Sequence, residues 1–165
     1  MIARQRIDRP RAEADSRFRV GEWPMHAILA IARGHVRNMG IVLDSFDCSP
    51  LVWRVLSIVC ERDKCSVGQL ADIAVIERSN LSRIVDGMES DGLVTKIESA
   101  RDRREIRISV TPKGRALFAR SLPTVLDYYG RFLGGVTADE KDMFMNVLAK
   151  IERNVCGSSA KLLER

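Results

Sequence analysis

The sequence predicts a mainly α-helical fold with six helices and one small β-hairpin placed between the fourth helix and the fifth. Three observations predict it. Apolar residues recur at helical spacing over most of the chain. The pattern switches to strict alternation only between Leu93 and Val110. Cap-and-proline or capping-box signatures stand at the start of four of the six apolar stripes.

Residues 1–20 are polar, arginine-rich and aperiodic, and are expected to form a flexible arm. From Glu22 to about Phe46 runs an apolar-rich segment with no proline after Pro24, read as the first helix. Its stripe of Ile28, Ile31, Met39 and Val42, flanked by Leu29, Val36 and Leu43, is wider than a small domain needs. Ser49-Pro50 supplies a cap and a proline at the first helical position for a second helix carrying Leu51, Val55, Leu56 and Val59. Ser66-Val67-Gly68-Gln69 is a capping box opening a short third helix to about Ala74. In residues 77–94, Leu81, Ile84, Val85 and Met88 form a one-sided helical stripe, and Gly92 falls at the C′ position.

Leu93–Glu98 and Glu105–Val110 read as strands, the second alternating Ile106, Ile108 and Val110 with polar residues. The polar loop Ser99–Arg104 lies between them. Thr111-Pro112 opens a fifth helix to about Leu133, in which Pro123 is expected to kink or break the helix. Thr137–Glu140 is a second capping box, and the helix after it carries Phe144, Val147, Leu148, Ile151 and Val155. Residues 157–165 are expected to be a frayed tail.

The 165 residues suffice for one modest core, and 45% apolar with 30% charged residues is a globular balance. Only 5% are aromatic, which argues against a base-stacking platform for single strands. The net charge of +5 is localised. Lys96, Arg101, Arg103, Arg104, Arg107, Lys113, Arg115 and Arg120 oppose only Glu98, Asp102 and Glu105 in one stretch. Such clustering is the footprint of a phosphate-binding surface. Arg4, Arg6, Arg9, Arg11, Arg17 and Arg19 form a second cluster. No apolar run reaches the roughly 20 residues that span a bilayer, and no signal peptide is visible, so a cytosolic protein with reduced cysteines (Cys48, Cys60, Cys65, Cys156) is expected.

A short helix, a tight turn and a second helix with a one-sided core stripe form a helix-turn-helix. Opposite Leu81, Ile84, Val85 and Met88 lie Ser79, Arg83, Asp86 and Ser90, flanked by Asn80, Ser82 and Gly87. Arginine bonds guanine bidentately and asparagine does so with adenine, while the small residues permit close backbone approach to a duplex. An ordinary solvated helix face has the same polarity, and the hairpin decides between the two. Its loop packs Arg101, Arg103 and Arg104 around Asp102, directly after the helix-turn-helix. Long cations on a thin support suit the narrow, electronegative minor groove, and Asp102 is placed to brace a neighbouring arginine. The fold is therefore a winged helix-turn-helix, and Arg78, Ser79, Asn80, Ser82, Arg83, Arg101, Asp102, Arg103 and Arg104 are the candidate double-stranded-DNA contacts.

These segments resemble the MarR family of regulators. The resemblance rests on Met88–Val94, on the Asp102-Arg103-Arg104 wing, on the Val110-Thr111-Pro112-Lys113-Gly114 exit and on Leu51–Leu56, and it covers residues 22 to 156. It implies that Asp102 supports Arg104 in the minor groove while Arg101 and Arg103 meet phosphates. Met88 stands where the family usually has leucine. The turn Ala74-Val75-Ile76-Glu77 lacks the family's glycine or small polar residue. The resemblance further implies a homodimer built from residues 21–47 and 114–156, with 48–113 as the DNA-binding lobe reading a pseudo-palindromic operator.

Members commonly take a small-molecule effector between the dimer region and the lobe, which releases them from DNA. By that resemblance the candidate lining is Trp23, His26, Arg33, His35 and Arg37 of the first helix, Trp53 and Arg54 of the second, and Tyr128 or Tyr129 of the fifth. Arg33 and Arg37 suit an anionic ligand, such as an aromatic acid or its CoA thioester. Each residue has a plainer reading: Trp53 as core, the two arginines as solvated cations.

The expected function is thus a ligand-released transcriptional regulator, commonly a repressor in this family. A thiol-based redox sensor is the nearest alternative, with Cys65 in a polar connection expected to be the exposed thiol and Cys60 an inert one. A winged helix that binds only protein is the other. No cofactor or metal is expected, because two histidines and unpaired cysteine spacing make no ligand set. No nucleophile–base pair, glycine loop or carboxylate pair suggests an enzyme.

Overall fold

The computed structural model describes residues 19–62, 64–98 and 106–156. Among them are six α-helices and three strands: α1 (Pro24–Leu43), α2 (Pro50–Arg62), β1 (Lys64–Ser66), α3 (Val67–Ala74), α4 (Arg78–Ser90), β2 (Val94–Glu98), β3 (Ile106–Val110), α5 (Pro112–Phe132) and α6 (Ala138–Cys156). Short 3-10 turns, Val20–Glu22 and Asp44–Phe46, flank α1. The chain divides into two compact units, one ending at Ser121 and the other beginning at Leu122, so the division falls within α5.

In the first unit the helix starts follow the local signals. Pro24 opens α1. The Ser49 hydroxyl accepts from Val52 N at 3.2 Å at the start of α2. Ser66 and Gln69 close a reciprocal capping box on α3 (3.2 and 3.0 Å), leaving two otherwise orphaned amides satisfied. The end of α4 is a Schellman turn: Leu93 N bonds Met88 O at 2.8 Å and Gly92 N bonds Glu89 O at 2.9 Å, with Gly92 at φ 71°.

The core joins Leu43 of α1, Val55, Leu56 and Val59 of α2, Leu70 of α3, Leu81, Val85 and Met88 of α4, and Ile108 of β3, all essentially solvent-free. The sheet runs in the order β1-β3-β2, both pairings antiparallel, with Cys65 opposite Ile108 and Lys96 opposite Ile108 on the other edge.

Three sequence expectations need correction. A third strand, β1, lies between α2 and α3; three residues are too short for alternation to reveal, and their pairing with β3 is non-local. That strand turns Cys65 inward, so it is buried at 2% exposure rather than exposed. Of the two outcomes expected at Pro123, a kink or a break, the break does not occur: α5 is continuous from Pro112 to Phe132.

The second unit holds the C-terminal part of α5 and all of α6. Tyr128 is buried and meets Tyr129 edge-on at 5.7 Å, with Phe132 packed near both rings. Thr137 and Glu140 form the expected capping box at the start of α6, which holds the Glu140 carboxyl below its ordinary range. Many large apolar side chains stay exposed: Met143, Phe144, Met145 and Val147 on α6, and in the first unit Leu29, Ile31, Val36 and Ile41 on α1.

Candidate nucleic-acid interface

Helix α4 separates its two faces cleanly. Leu81, Val85 and Met88 are buried, with Ile84 partly so, whereas Arg78, Ser79, Asn80, Ser82, Arg83 and Asp86 are exposed. Residues 79, 82, 83 and 86 fall at i, i+3, i+4 and i+7, one stripe of one helix.

The start of α4 is set by Glu77. Its carboxylate accepts from Ser79 N at 2.9 Å, from Asn80 N at 3.1 Å and from the Ser79 hydroxyl. The hydroxyl bond first, then the two amides, hold this carboxyl below its ordinary range. Ser82 donates to Arg78 O at 3.0 Å. The Arg78 guanidinium lies over Gly68, 3.6 Å from where a β-carbon on that glycine would sit, so the first residue of α4 leans back across the start of α3.

The turn before α4 carries Val75 at φ 53°, the left-handed region, with 84% of its surface exposed. This is the position where the sequence lacks the expected glycine. Val75 N closes the end of α3 on Asp72 O, and Ile76 N bonds Ala71 O at 3.0 Å.

Strand β2 is locked to α4 by Lys96. Its ammonium stands 2.6 Å from Asp86 Oδ1 and 2.9 Å from Glu89 Oε2, while its backbone N–H donates to Glu89 Oε1 at 3.1 Å. Bonds to Asp86 and Glu89 raise the lysine pKa, and the bonds from Lys96 lower that of Glu89. Sequence reasoning missed this clamp. The signal was there: Lys96 occupies the alternation register of buried Val94 and stands opposite buried Ile108, where a charge calls for an acidic partner.

The base of the hairpin is tied to the end of α4 by Thr111. Its N–H donates to Leu93 O at 3.1 Å, its hydroxyl bonds Gly92 O at 2.6 Å, and that hydroxyl accepts from Gly114 N at 3.1 Å. Lys113 Nζ donates to Asp91 O at 2.6 Å, a cation on the last carbonyls of α4. Arg101, Asp102, Arg103 and Arg104 lie outside the described residues.

The candidate effector residues fall into separate groups. His26, Arg33 and Arg37 share a groove of about 490 Å³ along α1 with Leu29, Ala30 and Gly34. His35 is half-buried, and burial followed by the Arg54 charge lowers its pKa. Arg54 Nη1 donates to Ala74 O at 3.3 Å, on the last turn of α3. Trp53 is half-buried, its indole N–H donating to Ser121 Oγ at 2.9 Å and its ring 5.7 Å from Phe118. Trp23 is exposed, and Tyr128 lies in the second unit. Among the described residues no cluster of three His, Cys, Asp or Glu side chains could hold a metal ion, and no helix is long and apolar enough to cross a membrane.

A helix-turn-helix with a strand-borne wing hinged on the recognition helix defines a winged-helix protein of the transcription-regulator class. The MarR family model matches residues 46–105. A transcriptional repressor of Pseudomonas putida, IacR, is 25% identical over 142 residues, 86% of this chain and 85% of its own. The homoprotocatechuate degradative operon repressor of Escherichia coli is 28% identical over 129 residues, 75% of this chain and 87% of its own. The crystal structure of a MarR family regulator from Silicibacter pomeroyi superposes with a TM-score of 0.73 at 28% identity, covering 83% of this chain and 92% of that one. The chain thus matches the MarR family model over its helix-turn-helix and hairpin segment, and its fold is that of MarR-family transcriptional regulators.

Proposed function

We propose that the chain is a homodimeric, cytosolic repressor that binds a pseudo-palindromic duplex and is released from it by an anionic, aromatic effector. One observation carries the DNA-binding part. The exposed stripe of α4 (Ser79, Ser82, Arg83, Asp86, with Arg78 and Asn80 at its start) is backed by a fully buried stripe, and Lys96 fixes the wing strand β2 directly against it. A recognition helix needs that polarity to enter a major groove, and in this reading Arg101, Arg103 and Arg104 of the wing meet the flanking backbone and minor groove. Asp102 braces Arg104 in this reading.

The exposed large apolar side chains on α1, and those on α6, support the dimer. The Arg33 and Arg37 guanidiniums in the groove along α1, and Arg54 beside the end of α3, support an anionic ligand. That one relative is the repressor of a homoprotocatechuate degradative operon points to an aromatic acid or its thioester.

Titration of a duplex carrying the chain's own promoter region tests this reading. Affinity is expected to fall steeply with salt, and Arg104→Ala to cost about 1–3 kcal/mol. A chain acting only on proteins gives no salt-dependent duplex affinity. For the effector, aromatic acids or acyl-CoAs are expected to raise Tm; absence of a shift with both classes removes this ligand assignment.

A further inference from the structure

Two exposed hydroxyls near the start of α4 have already committed their protons. Ser79 Oγ is bonded to the Glu77 carboxylate and Ser82 Oγ to the Arg78 carbonyl. Neither partner carries a proton to give, so in both bonds the serine is the donor. A hydroxyl has one proton and two lone pairs, so each serine turns only acceptor capacity outward. Glu77 is held ionised by its three donors and is acceptor-only as well.

In the major groove the donors are the exocyclic amines, adenine N6 and cytosine N4, and the acceptors are guanine O6 and N7, thymine O4 and adenine N7. We propose that Ser79 and Ser82 are specificity-determining residues that select an amine-bearing base, adenine or cytosine, on the contacted strand at two nearby steps of each half-site, with Glu77 setting the polarity at the first. Side chains three apart on a helix stand about 5–6 Å from each other, a span of one to two base steps. Guanine or thymine at those steps presents an oxygen to lone pairs that have no proton between them, and an unbridged acceptor pair in a desolvated groove is disfavoured. Arg83, next on the same stripe, is a pure donor and takes the opposite preference, for guanine. The inference rests on the DNA-binding reading above.

Selection of duplexes from a randomised library by the full-length chain tests it. Enriched half-sites are expected to contain two columns held to adenine or cytosine on one strand. Ser79→Ala is expected to release one column and Ser82→Ala the other; both substitutions favour the helix and keep the Glu77 cap. Glu77→Ser retains a capping hydroxyl but returns the Ser79 proton to the groove, so guanine and thymine are expected to enter the first column while the second is unchanged. Within a selected site, replacing adenine by purine deletes only the amine. That change is expected to weaken wild-type binding about fivefold and Ser79→Ala binding not at all. Enriched sites without such columns, or columns that survive both alanine substitutions, overturn the proposal while leaving DNA binding intact. A chain that retains no duplex at low salt overturns the DNA-binding reading and this assignment with it.

Discussion

Gly114 stands against Leu93 so closely that a β-carbon at Gly114 would lie 2.1 Å from the Leu93 carbonyl oxygen and 3.0 Å from Val110 Cγ2. The family's threonine-x-x-glycine exit from the wing thus has a steric cause in this chain. Thr111 ties the first turn of α5 to the carbonyls that end α4, and only a residue without a side chain can then follow three positions on. Gly114→Ala is expected to destabilise the fold by about 1–3 kcal/mol or more, because backbone rather than a movable side chain must yield. Urea unfolding measures it. Gly87→Ala, where a β-carbon on α4 meets nothing within 4 Å, is the contrast and is expected to stabilise by up to about 1 kcal/mol through helix propensity. Equal effects of the two substitutions would remove the steric explanation.

Val75 carries the opposite burden. A β-branched residue in the left-handed region costs roughly 1–2 kcal/mol, and here nothing covers its side chain in return. Glycine gives back part of that gain as unfolded-state entropy, so Val75→Gly is expected to stabilise by a net of about 0.5–1 kcal/mol. Thermal unfolding of the two chains decides it. A lower Tm for Val75→Gly would mean that this side chain contributes to the fold.

Much of the fold was legible because its signals are local. Ser49-Pro50, Ser66 with Gln69, Thr137 with Glu140, and Gly92 after α4 act within a few residues of themselves, and the structure uses each as a cap. The polar stripe of α4 was legible from spacing for the same reason. The elements that escaped depend on distant partners. Strand β1 exists through β3, more than forty residues on, and it alone turns Cys65 inward. The Trp53 indole finds Ser121 across 68 positions. The left-handed turn at Val75 carries no residue that announces one.

Lys96 offsets one of the two negative charges of Asp86 and Glu89 on the helix proposed to meet DNA, and it fixes β2 to that helix. Lys96→Met keeps the length of the side chain and removes the charge. Two uncompensated carboxylates then remain on the proposed DNA-binding helix, so duplex affinity is expected to fall on the order of tenfold at low salt. The defect is expected to narrow as salt screens the exposed carboxylates. Isothermal titration across a salt series reads both effects. A defect that does not change with salt would make the lysine a packing element only.

The cysteines separate a ligand-released regulator from a redox sensor. Burial, and then the Asp47 charge, push the Cys48 thiol up to about 11; burial likewise raises Cys60 and Cys65. The reactive form is the thiolate, and burial favours the neutral thiol, so the thiolate appears only at higher pH than in an open chain. At pH 8 a thiol with a pKa of about 11 is ionised in roughly one molecule in a thousand. In a Cys156→Ser background, iodoacetamide is expected to label the native chain slowly at pH 7–8, faster as pH climbs toward 11, and readily once urea unfolds it. Stoichiometric peroxide is then expected to leave duplex affinity unchanged. Rapid native labelling at pH 7, with loss of DNA binding on oxidation, would instead make one of these three thiols the signal receiver.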